Sequence, residues 1–138
     1  MASPPHDFVR ERARSACEYC RIPEAYYAGI FVVEHVIARQ HGGGDDPENL
    51  AYACERCNLH KGPNIAGLDP DGGALTRLFH PRSDVWEEHF EWSGHIIVGR
   101  TPIGRTTVYV MAMNHPIARA VRAALLAEGV FPPHQTDS

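Results

Sequence analysis

The sequence predicts an α+β fold, a ββα core followed by a mixed α/β extension, and three observations carry that expectation. The four cysteines of the 138-residue chain fall into two Cys-x-x-Cys pairs, "CEYC" (Cys17, Cys20) and "CERC" (Cys54, Cys57). The 33 residues between Cys20 and Cys54 read as a strand, a polar loop and a second strand. Beyond them, "HPIARAVRAALLAEG" has helical spacing, with Pro116 in the first turn and Gly129 at the stop.

Two such cysteine pairs in a chain without a βαβ pattern point to one tetrahedral zinc ion rather than to redox dithiols, because thiolates three apart on a tight turn can share a metal. The insert then takes its elements in order. "AGIFVVEHVIA" (28–38) is rich in β-branched and aromatic residues, which favour a strand. "RQHGGGDDPEN" (39–49) carries turn residues throughout. "NLAYAC" suits a second short strand, and "ERCNLHKGPN" a short helix that stops near Gly62-Pro63. Zinc would clamp the two ends of this ββα unit.

The flanking regions give a single domain with four parts: an N-terminal helix (1–16), the zinc-clamped core (17–68), an extension (69–130) and a frayed tail (131–138). In the first helix Arg10 and Arg14 lie on one side and Arg12 roughly opposite, the pattern of a solvated helix or of one lying along a nucleic-acid backbone. "DPDGG" is a turn, "GHIIVGR" a strand after Ser93-Gly94, and "TPIGRTTVYVMAMN" is read as a helix because Thr101-Pro102 is a good start. Trp86 and Phe90 are assigned to the core, and Ile117, Val121 and Leu125 to the buried face of the last helix.

The formal net charge is −4, which does not favour a nucleic-acid binder, although a bound metal supplies local positive potential that the net balance hides. The N-terminus lacks the apolar stretch of a secretory signal, and no apolar run approaches the roughly 18 residues that span a bilayer. A cytoplasmic protein with reduced cysteines and no membrane partner is expected.

Within the first strand stands Glu34-His35, an acid beside an imidazole. An edge strand with two solvated side chains would explain an isolated pair. This one is followed by "ENLAYAC" and "CNLHKG". Together, "CEYC", "VEHVIARQHGG", "ENLAYAC" and "CNLHKG" resemble the HNH endonucleases of the ββα-metal fold, specifically the subset whose motif is clamped by a four-cysteine zinc, and the downstream "LFHPR", "W", "HF" and "IGR" resemble the arrangement of small stand-alone bacterial HNH proteins. His35 matches the first histidine, Asn49 the middle asparagine, and Asn58 the last position, where members carry His or Asn. Glu34 stands where many members have Asp.

The resemblance implies a metal-dependent endonuclease that hydrolyses DNA phosphodiester bonds. It casts His35 as general base, Glu34 and Asn58 as ligands of one catalytic Mg2+ or Mn2+, and Cys17, Cys20, Cys54 and Cys57 as ligands of structural Zn2+. Hard oxygen donors suit such a catalytic cation, and imidazole is the side chain that ordinarily titrates near neutral pH. Asn49 is expected to pin the loop through side-chain hydrogen bonds to backbone. Lys61, one turn beyond Asn58, and Arg82 are candidate phosphate contacts. Two alternatives stand beside this reading: a non-catalytic zinc module that binds nucleic acid or protein, and an RNA-directed nuclease or defence effector with the same site.

Overall fold

The computed structural model describes residues 4–131; the expectations for residues 1–3 and 132–138 lie outside it. Helices alternate with three two-stranded antiparallel hairpins, an α+β architecture. Helix α1 (Pro4–Arg12) leads into the first cysteine knuckle, and strand β1 (Phe31–His35) pairs with β2 (Leu50–Cys54). The register sets Phe31 opposite Cys54, Val33 opposite Tyr52 and His35 opposite Leu50. Helix α2 (Glu55–Lys61) starts at once from β2, because Cys54 itself caps it: the sulfur accepts from the Cys57 amide.

β1 is shorter than the strand expected over 28–38. Asn49 ends it: the Val36 amide donates to the Asn49 carbonyl at 2.8 Å, and the Ile37 amide to Asn49 Oδ1 at 2.9 Å. The same side chain donates through Nδ2 to the carbonyls of Ile37 and Gly44, so one asparagine pins both ends of the loop. The loop is itself built from two 3-10 turns, Arg39–His41 and Pro47–Asn49. Gly42 takes φ 94°, a left-handed conformation that glycine adopts without strain.

Beyond α2, β3 (Ala66–Leu68), at the end of the expected core segment, pairs with β4 (Leu75–Arg77) across the Asp69–Gly73 turn. A single-turn helix α3 (Trp86–His89) runs into β5 (Phe90–Ser93), which pairs with β6 (Ile96–Gly99). Helix α4 (Pro102–Val110) is capped by Thr101, whose hydroxyl accepts from the Gly104 amide at 3.0 Å. Its β-prone "TTVYV" run is helical because Thr106 and Thr107 are buried, and Thr107 Oγ1 accepts from the Phe79 amide while donating to the Ile103 carbonyl. Helix α5 (Pro116–Ala127) ends at Gly129, with φ 79°.

Two expectations for the C-terminal region are corrected. Ile117 is 57% exposed, and the buried face of α5 runs through Ala118, Arg122 and Leu125. Arg122 goes inside because its guanidinium satisfies the carbonyls of His95 and Met113 and the amide oxygen of Asn114. Phe131, expected to open the frayed tail, is instead buried edge-on against Trp92 with ring centroids 4.8 Å apart.

One hydrophobic cluster runs through the described residues, from Val9 through Tyr19, Phe31 and Tyr52 to Phe79, Trp86, Phe90 and Ala118. Trp86 and Phe90 are in it, as their size suggested. Trp86 Nε1 donates to the Tyr19 carbonyl at 2.9 Å, tying the extension to the first knuckle. Of the N-terminal arginines, Arg12 is held by donating to the carbonyls of Pro47 and Leu50, whereas Arg10 pairs with Glu24 while staying half exposed and Arg14 is exposed. Among the described residues no helix is long and apolar enough to cross a membrane.

Candidate active site

The scaffold of the site begins at the cysteines. Cys17, Cys20, Cys54 and Cys57 are all buried, and their sulfurs lie within 4.8 Å of one another. The amide of Cys20 donates to Cys17 Sγ and that of Cys57 to Cys54 Sγ, both at 3.4 Å, so the two knuckles repeat one geometry. A tetrahedron of zinc–sulfur bonds near 2.3 Å has sulfur–sulfur edges of about 3.8 Å. Cys20 Sγ and Cys54 Sγ stand 3.8 Å apart, so the donor set fits a structural zinc ion in both chemistry and spacing.

Above this clamp, β1 and α2 form the walls of an open cleft of about 400 Å³, lined by Glu34, His35, Arg39, Gln40, Asn58 and neighbouring residues. The acid, the imidazole and the amide expected from the sequence therefore border one space. Asn58 is half-buried on the first turns of α2, and among the described residues its side chain makes no hydrogen bond that would hold it away from the cleft.

Glu34 is buried, its side chain 4% exposed. Its Oε1 lies 3.2 Å from Lys61 Nζ, and its Oε2 accepts a short hydrogen bond from the Tyr19 hydroxyl. Burial pushes the carboxyl above its ordinary value, while Lys61 and Tyr19 pull the other way. Tyr19 is held well above the usual phenol range by burial and by the neighbouring carboxylate. A carboxylate offers about four lone-pair sites, and these two partners use two of them. Glu34 thus keeps capacity for a hard cation at the cleft wall, and metal-ligating carboxylates are commonly oriented by such hydrogen bonds. Glu34 and Asn58 both line the cleft and carry oxygen donors, the ligand type that a divalent ion retaining several waters takes.

Lys61 and Arg82 do not face substrate. Lys61 is buried, with Nζ donating to the Val36 carbonyl at 2.7 Å as well as facing Glu34. It dives beneath β1, where the Val36 carbonyl and the Glu34 carboxylate receive its ammonium. Arg82 forms a short ion pair with Glu18, whose other oxygen accepts from the Tyr52 amide, so it braces the first knuckle against β2. His80 and His89 are structural as well: His80 Nδ1 accepts from the Arg82 amide, and His89 Nδ1 bonds Thr101 Oγ1. His60 is exposed on α2, as its offset from Asn58 suggested.

His35 has a partner that the sequence reading overlooked. Its Nε2 is 2.7 Å from Asp45 Oδ1, and the same oxygen accepts from an Arg39 nitrogen at 2.7 Å. The hydrogen bond with His35, aided by Arg39, lowers the Asp45 carboxyl below its ordinary value. The signal was present in "GGGDDPEN": the Asn49 pins fold the loop back, so carboxylates ten residues downstream return to the end of β1.

Residues 17–64, the stretch that holds both the cysteine clamp and the cleft, match the family model described as HNH endonuclease. The matched segment sits on a fold of helices and small antiparallel hairpins and holds a four-cysteine cluster compatible with zinc. Neither a curated protein nor a solved structure matches the chain.

Proposed function

We propose that the protein is a metal-dependent endonuclease that hydrolyses DNA phosphodiester bonds, with His35 as general base and Glu34 and Asn58 holding a single Mg2+ or Mn2+. The observation that carries this reading is the convergence of Glu34, His35 and Asn58 on one cleft inside an HNH segment. A binding module has no need of an imidazole, a carboxylate and an amide facing one water-accessible space. When bound, the cation would stabilise charge on the phosphate undergoing attack.

The chain's own residues supply the remainder. A carboxylate can only accept a hydrogen bond, so His35 donates to Asp45 through Nε2 and keeps Nδ1 as the nitrogen that can take a proton from water. Asn58 is presented by a helix whose start is locked by Cys54 and Cys57, which limits its motion relative to His35. By the family resemblance, the products carry 5′-phosphate and 3′-hydroxyl ends.

The test is incubation of the purified full chain with supercoiled plasmid and Mg2+ or Mn2+, beside His35→Ala. Nicking by the parent and at least a hundredfold less by the variant is expected for loss of a general base. Equal cleavage by both proteins would remove His35 from the chemistry, and binding without cleavage by either would favour the zinc-module reading. A parallel RNA substrate decides between the sugars.

A further inference from the structure

Among the described residues the cleft contains one permanently cationic side chain, and it is neither of those expected from the sequence. Lys61 is buried beneath Glu34, and Arg82 is paired with Glu18. Arg39, on the 3-10 turn that follows β1, lines the cleft with its side chain 70% exposed. A guanidinium has five N–H donors, and one of them reaches Asp45 Oδ1 at 2.7 Å. That oxygen is also the one that receives His35 Nε2. A single carboxylate therefore holds the imidazole from one side and the guanidinium from the other.

Resting on the nuclease reading above, we infer that Asp45 is a positioning residue: it locks the His35 ring with Nδ1 free, and it holds the Arg39 guanidinium at the rim of the same cleft as the group that binds a substrate phosphate. Three consequences of the geometry support this. Without Asp45, the ring of His35 has no other hydrogen-bond partner among the described residues, so neither its orientation nor its tautomer would be set. The donors of Arg39 not used by Asp45 match the paired oxygens of a phosphodiester, which a guanidinium can meet in a fork. The latch is itself held, because Asn49 Nδ2 donates to the Gly44 carbonyl at the residue before Asp45, fixing the loop at that point.

The test uses the full zinc-loaded chain and two readouts. Long-range proton–nitrogen correlation of the His35 ring, at about pH 8 where imidazole is neutral, should show Nε2 protonated and Nδ1 not. Asp45→Ala should collapse the two nitrogen signals towards a tautomer average. In plasmid cleavage, Asp45→Ala should lower kcat by about 10- to 100-fold, the usual effect of removing an orienting partner, and Asp45→Asn should retain more activity than Ala. Arg39→Ala should instead raise KM and reduce the slope of log binding constant against log salt by about 0.9, one phosphate contact, with Arg39→Lys recovering most of that slope.

A parent ring protonated on Nδ1, or unchanged ring signals in Asp45→Ala, would overturn the latch, as would parent-like kcat in that variant. An unchanged salt slope in Arg39→Ala would overturn the phosphate assignment. If the parent cuts no DNA while its His35 tautomer is fixed and lost in Asp45→Ala, the nuclease reading fails and the role assigned to Arg39 fails with it, whereas the ring readout still upholds the latch.

Discussion

Lys61 is the only lysine in the sequence, and it lies under β1 with 2% of its side chain exposed. Burying an ammonium is unfavourable unless it is paired and hydrogen-bonded. Here the carboxylate of Glu34 and the Val36 carbonyl supply those partners. The residue that looked like a point charge for phosphate instead sets the direction of the acid. Removing one partner of a buried pair leaves the other uncompensated, at a loss of about 3–5 kcal/mol. Lys61→Met should therefore lower unfolding stability by roughly that amount in chemical denaturation. The double variant Lys61→Met/Glu34→Gln should regain part of the loss, because it removes the stranded charge as well. If the single variant unfolded at the parent's denaturant concentration, the pair would hold no strength in this fold.

Secondary structure was legible where local signals coincide, and much less so where they do not. The ββα unit could be read because β-branched runs, turn residues and cysteine spacing all agree over 28–62. Strands β3 and β5 were not readable, since three or four residues carry no periodicity that separates strand from loop. Helix α4 was recognised from its start signal against the propensity of its middle, and that start is where a substitution should tell. Thr101 accepts from the Gly104 amide and also bonds His89 Nδ1, so one hydroxyl caps α4 and fastens it to α3. Thr101→Ala should lower stability by about 1 kcal/mol through the lost cap, and Thr101→Ser should restore most of it. A thermal melt separates them. Gly104→Ala should be worse, because a Cβ there would fall on the His89 carbonyl oxygen, which backbone cannot easily vacate. The candidate site was legible in the identity of His35, Asn49 and Asn58, but not in its second layer. Which way Glu34 and Lys61 turn, and that Asp45 returns to His35, depend on contacts made only once the loop has closed.

Over the whole molecule, the first knuckle is where the two halves of the chain meet. Tyr19 receives Trp86 through its carbonyl and gives its hydroxyl to Glu34, and Glu18 joins Arg82 to the Tyr52 amide. From the second knuckle, Arg56 reaches the Ala112 carbonyl behind α4 at 2.8 Å. The links of Tyr19 to Trp86, Glu18 to Arg82 and Arg56 to Ala112 cross from the HNH segment into the extension, and each starts within two residues of a cysteine. Four thiolates brought together without a metal repel one another, and binding free energy in such sites is folding free energy. Zinc removal should therefore unfold both halves in one transition. The prediction is specific because both tryptophans, Trp86 and Trp92, lie in the extension, outside the ββα unit. On titration with a strong chelator, tryptophan near-ultraviolet dichroism and far-ultraviolet helix signal should fall together, and Cys54→Ser should already show the unfolded spectrum. A tryptophan signal that outlasts the metal would show that the extension keeps a core of its own, with the hydrogen bonds across the knuckle following folding there rather than causing it.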